Sequence, residues 1–378
     1  MMKKNIHLLI LAIASTLAIP ASAQFFHQPD ESGLNGKRAP LNVRNARYPR
    51  LLPDNRMEFK VKAPDAKLVQ IDLGKKYDLT KNADGEWTGT TDPLTPGFHY
   101  YFLIIDGVQV ADPASESFYG CSMHTSGVEI PYPEGDNRFQ MADVPHGDIR
   151  MKRFYSTTSG DWRRAFVYCP PGYDESSEKY PVLYLQHGGG EDERGWANQG
   201  LTDIIMDNLI AQGKATPMII VMADGNTPDF EKELLNDIIP MTEKNFRVKP
   251  GRENRALAGL SMGGIQTLNT GIPNLDKFAY LGVFSSGWFA NPNPFGVNMD
   301  SEKYYEILTA DKDRFNDKLK VFWLSMGGKE DIAYENCRVM RDRLDKIGIK
   351  YDYFETPGGH TWPVWRESLY NFAPLIFK

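Results

Sequence analysis

Arg255-Ala256-Leu257-Ala258-Gly259-Leu260-Ser261-Met262-Gly263-Gly264 is an apolar run that ends in G-x-S-x-G and continues into helix-forming sequence. A serine at such a junction sits on a sharp strand-to-helix turn that exposes its hydroxyl, and small residues on either side let the backbone make that turn. Ser261 is therefore the candidate nucleophile. The fold this implies is α/β: an α/β-hydrolase with a mostly parallel sheet.

Around this stretch, apolar strand-like segments recur at 165–169, 182–186, 218–223, 256–260, 280–285, 321–326 and 350–355. Helix-like segments separate several of them, at 201–212, 230–246, from 265 onward, 301–315 and 334–347. That alternation predicts a parallel sheet covered by helices on both faces. Upstream, 56–112 reads as β. Met57-Glu58-Phe59-Lys60-Val61-Lys62 alternates, and an aromatic, β-branched run at 98–105 stops at Asp106-Gly107, a hairpin signal, before Val108-Gln109-Val110 resumes. A small β-sandwich is expected there. The expected organisation is a signal peptide at 1–23, a polar, basic tether at 24–50, the sandwich at 51–125, a linker rich in Pro, Gly and Asp at 126–148, and the hydrolase at 149–378.

The signal peptide rests on Lys3 and Lys4, an apolar run at 6–19 and Ala21-Ser22-Ala23, which put the mature start at Gln24 and the protein outside the cytoplasm, secreted or periplasmic. No later segment is long and apolar enough to cross a membrane. The formal net charge of −6 argues against nucleic acid or an anionic membrane as partner. Three widely spaced cysteines form neither a zinc pattern nor a disulfide framework and read as isolated buried thiols. No metal-binding, phosphate-loop or dinucleotide motif occurs, so no cofactor is expected.

A nucleophilic serine needs a base. Of seven histidines, one leaves with the signal, four lie in the tail, the β-region or the linker, and His187 begins a glycine-rich loop after a strand. His360 remains, in Gly358-Gly359-His360-Thr361-Trp362 after the last expected strand, and it satisfies the order serine, acid, histidine. The acid belongs on the loop Gly327-Gly328-Lys329-Glu330-Asp331. Asp331 is preferred, with Glu330 as the alternative. An oxyanion hole needs two backbone N–H donors. Met262 supplies one and Gly189 of His187-Gly188-Gly189-Gly190 the other, with Gly188 second; His187 itself reads as structural. Trp196, Trp288 and Trp362 lie on loops near this site and are candidates to stack on a substrate ring, against the alternative of ordinary packing.

The hydrolase half resembles the esterase D type, and within it carbohydrate esterase family one, the feruloyl and acetyl xylan esterases. The resemblance is carried by Tyr168-Cys169-Pro170-Pro171-Gly172-Tyr173, the run from Tyr180 to Gly190, Gly259-Leu260-Ser261-Met262-Gly263-Gly264, Gly328-Lys329-Glu330-Asp331 and Gly359-His360-Thr361-Trp362. The β-region is similar to a family 48 carbohydrate-binding module through Trp87, Pro96-Gly97-Phe98-His99-Tyr100-Tyr101 and Asp106-Gly107. The resemblance implies hydrolysis of feruloyl esters on arabinoxylan side chains. Trp87 and Tyr100 are then candidate glycan contacts, although aromatics in a small sandwich are usually core. Rival expectations are an acetyl xylan esterase, a siderophore trilactone esterase with a basic pocket, and a glycan-binding protein with an inactive esterase fold.

Overall fold

The computed structural model describes residues 30–289 and 300–378; the expected signal peptide and cleavage site fall outside the described residues. The C-terminal sheet has eight strands: β1 (Asp148–Ser156), β2 (Asp161–Cys169), β3 (Val182–Gln186), β4 (Ile219–Ala223), β5 (Arg255–Leu260), β6 (Tyr280–Phe284), β7 (Val321–Met326) and β8 (Asp352–Glu355). Their order is β1-β2-β4-β3-β5-β6-β7-β8. β1 and β2 run antiparallel to their neighbours, and β3 to β8 are parallel. Every residue of β3, β4 and β6 is buried, as strands covered on both faces require.

β1 was not among the strands expected from sequence. Its polar, charged composition suits an edge strand that pairs on one side only. The expected helix at 230–246 is interrupted by a wider turn at Leu234–Ile238, next to Pro240, which has no N–H to donate back into the helix.

In the N-terminal half, a five-stranded and a six-stranded sheet enclose one core. Met57, Phe59 and Trp87 meet Val69, Ile71, Tyr101, Leu103 and Val128 there. Asp106 and Gly107 both take positive φ, joining strands Gly97–Ile105 and Val108–Val110.

The described parts of the segments expected to be tether and linker, 30–50 and 126–148, are not loose. Lys37–Arg38 pairs with Arg50–Leu51, which extends the five-stranded sheet. Arg50 is buried, and its guanidinium donates to the carbonyls of Asn35 and Gly36. Residues 126–130 belong to strand Met123–Ile130, in register with Gly97–Ile105. The rest of 131–147 is irregular but clamped: the Asn208 side chain donates to the carbonyls of Asn137 and Gln140, and Asp207 accepts from the Gly147 amide. A Pro- and Gly-rich composition marks irregular backbone, not freedom. Cys169 and Cys337 are buried thiols, whereas Cys121 is exposed.

The two halves share a core. Phe98 and Phe118 of the β-region pack into the same cluster as Trp196, Leu185, Trp362 and Leu369. Arg366, on α2 (Trp362–Phe372; the helix after Ser261, Met262–Gly271, is α1), is fully buried. It forms a two-pronged ion pair with Glu129, at 2.7 and 3.0 Å.

Candidate active site

β5 ends at Leu260, and Ser261 takes φ 50° and ψ −114°, a strained conformation for a residue with a side chain. The turn is possible because its neighbours lack one. A Cβ on Gly259 would lie 2.5 Å from the Gly263 backbone, and one on Gly263 would lie 2.6 Å from the His187 carbonyl oxygen. The Ser261 amide donates to the Phe284 carbonyl, and its own carbonyl accepts from the Ser286 hydroxyl at 2.6 Å. Met262 opens α1, so its N–H has no acceptor within the helix.

His360 lies between β8 and α2. Its Nδ1 is 2.8 Å from Oδ1 of Asp331, which also accepts from the Ala333 amide. Asp331 is buried in the turn after β7. Burial alone acts to raise its pKa, but the hydrogen bond from His360 and the imidazole's charge outweigh it, holding the carboxyl below its ordinary value. The alternative acid, Glu330, accepts instead from the Gly358 amide at 3.1 Å, strapping the two loops together. Ser261 and His360 line one narrow cleft, of about 40 Å³, with Ile265, Phe289, Ile332 and Ala333.

The His187–Gly190 loop leaves β3 and approaches Ser261. A Cβ on Gly188 would come within 3.3 Å of Ser261 Cβ, whereas one on Gly189 would face open space. His187 is buried: its Nε2 accepts from the Gly225 amide and its Nδ1 meets the Gly188 carbonyl at 2.8 Å. Both nitrogens are engaged in holding the loop.

The three tryptophans are not brought to the cleft as stacking surfaces. Trp196, Trp288 and Trp362 are each at most 2% exposed. Their indole N–H groups are spent on the Gln186 carbonyl, on Asn269, and on Tyr100 with Glu191. Trp87 is likewise core, bonded to the Ala63 carbonyl. Tyr100 faces the hydrolase rather than solvent.

Sequence reasoning passed over Glu191. This carboxyl follows the three glycines, is buried, and accepts from Tyr100 and from Trp362. Burial pushes its pKa up to about 8, against the pull of those two hydrogen bonds. Beside it, the Ser122 amide donates to the Gly190 carbonyl at 2.8 Å, from a hairpin tip where Cys121 and Ser122 both have positive φ. The available signal was strand Gly97–Ile105, apolar on both faces: Tyr101 and Leu103 fill the sandwich, so Phe98 and Tyr100 need a second cover.

The sheet order and the serine turn define the α/β-hydrolase class of fold. The chain belongs to the Esterase family, whose model matches residues 156–374. It is 37% identical over 362 residues to an endo-1,4-beta-xylanase/feruloyl esterase of Xylanibacter ruminicola, covering 90% of this chain and 47% of that protein. Endo-1,4-beta-xylanase Y of Acetivibrio thermocellus is 26% identical, over 72% of this chain and 27% of its own length. The chain thus spans about half the length of the first relative and about a quarter of the second. Among solved structures, the CE1 ferulic acid esterase of Anaeromyces mucronatus superposes with a TM-score of 0.56 at 25% identity, covering 64% of this chain and 95% of its own. The enterobactin esterase of Shigella flexneri has a TM-score of 0.65 at 17% identity over 84% of this chain and 92% of its own, a likeness of fold alone.

Proposed function

We propose that the chain is a serine esterase that hydrolyses feruloyl and related hydroxycinnamoyl esters on xylan side chains. The observation that carries this reading is the imidazole of His360, fixed by Asp331 at 2.8 Å and lining the same cleft as a serine on a strained turn. His360 Nε2 takes the Ser261 proton as the hydroxyl attacks the ester carbonyl, and returns it to the departing sugar oxygen. Water, deprotonated by the same nitrogen, then cleaves the acyl-enzyme and releases ferulate. Asp331, kept ionised, stabilises the imidazolium. The N–H groups of Met262 and Gly189 receive the tetrahedral oxyanion, Met262 with the added field of the helix N-terminus.

The relatives' names support the acyl and glycan parts of this reading. The cleft supports a neutral phenolic ester over an anionic siderophore, because the described residues that line it include no lysine or arginine. Acetylated xylan remains the rival substrate. Assays on methyl ferulate, acetylated xylan and a ferric catecholate trilactone, with fluorophosphonate labelling of Ser261, test the proposal. Preference for either rival substrate, or absence of labelling at Ser261, would overturn it. Export by the 1–23 signal belongs to the same reading and places the enzyme where plant polysaccharide is met. No described helix is long and apolar enough to cross a membrane.

A further inference from the structure

We propose that the rim of the hydrolase sheet between Gly190 and the β1–β2 hairpin binds the polysaccharide chain of the substrate, with Trp162 as its aromatic platform. This rests on the feruloyl esterase reading and extends it from the ester to the glycan that carries it.

Topology puts this rim on the same side of the sheet as Ser261. β2 runs antiparallel to β4, with Ala165 opposite Ala223, so the start of β2 lies at the carboxyl ends of β3, β4 and β5. In the order β2-β4-β3-β5, three strand spacings separate Trp162 from the serine turn, about 14 Å at roughly 4.8 Å each. That is the reach of a short oligosaccharide leaving the ester bond.

The platform itself is unusual for an unpartnered edge. Trp162 is 67% exposed and Tyr155, its cross-strand neighbour, 52%. Their rings meet edge to face at 5.9 Å. Tyr155 is on the edge strand β1 and Trp162 on β2 before its pairing with β4 begins at Ala165; exposed aromatics on such an edge hairpin add little to stability and invite aggregation, so the pair calls for a use. The hairpin is also rigid. Asp237 accepts from the amides of Thr157 and Thr158 and from the Thr157 hydroxyl, at 2.7 to 3.1 Å, and Arg163 pairs with buried Glu233 at 3.2 Å. Such a platform loses little entropy on binding.

Beside Trp162 lies a hollow of about 450 Å³, whose walls carry three arginines and three carboxylates. The Arg164–Glu193 ion pair forms part of its floor. A second hollow, of about 350 Å³, shares Arg164, Glu193 and Asp224 with the first and reaches Ser122 and Gly190. Balanced charge in the first hollow disfavours an anion or a cation there, and the carboxyl-rich second hollow, with one arginine, disfavours an anion; interleaved donors and acceptors suit a neutral polyol. An aromatic face beside them suits the apolar face of a pyranose ring. Together the two hollows make a path from Gly190, at the end of the glycine loop, to Trp162.

The test compares Trp162→Ala and Trp162→Phe with the wild-type chain on methyl ferulate and on feruloylated arabinoxylan. The expected result is an unchanged kcat/KM on methyl ferulate for both variants. On arabinoxylan KM should rise about tenfold for Trp162→Ala, with most of the loss restored by Phe. Calorimetric titration of wild-type protein with xylohexaose, which carries no ester, should give binding that Trp162→Ala weakens by a similar factor. An unchanged KM on arabinoxylan, a loss that falls equally on methyl ferulate, or xylohexaose affinity indifferent to Trp162 would overturn the proposal. If the wild-type chain ignores methyl ferulate, the esterase reading fails, and the xylohexaose titration still decides the glycan site.

Discussion

Tyr100, from the N-terminal β-region, donates its hydroxyl to Glu191 at 3.0 Å, just beyond the glycine loop expected to hold the oxyanion. The Gln199 side chain donates to the same hydroxyl at 2.6 Å, and Trp362, two residues after His360, donates to both Tyr100 and Glu191. One buried node thus joins the first half of the chain to both loops of the candidate site.

The node sets a pH signature of stability. The folded pKa of Glu191, about 8, lies above the ordinary 4.5 because burial disfavours the charge; Tyr100, Asp192 and Cys121 are the titratable groups that interact with it. A raised acid pKa means the folded state keeps a proton that the unfolded chain releases. Its contribution is complete below about pH 4.5 and declines by up to about 1.4 kcal/mol per pH unit toward pH 8, then levels off. Glu191→Gln removes this titration, so its Tm should fall less than that of the wild type between pH 5.5 and 8. Parallel Tm profiles would count against a neutral Glu191.

Ser261→Ala and His360→Ala should each lower hydrolysis of methyl ferulate by about 10³-fold or more with unchanged circular dichroism. Because nucleophile and base act as one unit, the double variant should be scarcely worse than either single one. Multiplicative losses would mean that the two residues do not serve the same step.

The two carboxylates of the acid loop have separate partners, His360 for Asp331 and the Gly358 amide for Glu330. Asp331→Asn keeps the shape but removes the charge that faces the imidazole, and kcat should fall by about 10³-fold or more. Glu330→Gln retains an oxygen for the Gly358 amide, so its kcat should stay within a fewfold of wild type. The opposite ranking, read from initial rates, would shift the acid role to Glu330.

What the sequence disclosed follows from how local the signal is. Ser261 and His360 lie on short motifs at strand ends, whose geometry depends on nearby glycines, and the order of strands fixed where to look for Asp331. The tryptophans were misjudged because sequence places a ring on a loop but does not say what covers it; Trp196 and Trp362 cover each other, with ring centroids 5.4 Å apart. Residues 126–148 were taken for a linker because proline and glycine report irregular backbone, whereas 126–130 complete a strand and the anchoring of 131–147 depends on Asn208 and Asp207 some 60 to 70 positions away. Glu191 carries no motif. Only the doubly apolar strand Gly97–Ile105 hinted that the β-region needed the hydrolase.

That dependence gives the sharpest test of domain organisation. A fragment beginning at residue 148 retains all eight strands of the hydrolase sheet, the serine turn, the acid loop and His360. It loses the partners of four interior features: the apolar cover of Phe98 and Phe118 over Trp196 and Trp362, the Glu129 partner of buried Arg366, the Tyr100 bond to Glu191, and the Ser122 bond to Gly190. Uncovering that core exposes a contiguous apolar patch, and a buried arginine without its carboxylate costs about 3–5 kcal/mol. The fragment should therefore aggregate, or lose at least about tenfold in kcat on methyl ferulate and on arabinoxylan alike. An independently folding glycan module would behave otherwise: its removal would spare methyl ferulate and harm only the polymer, through loss of tethering. Assaying one fragment preparation on both substrates, with its association state read by light scattering, separates the two. A monodisperse fragment with full activity on methyl ferulate would show that the β-region is appended to the hydrolase rather than built into it.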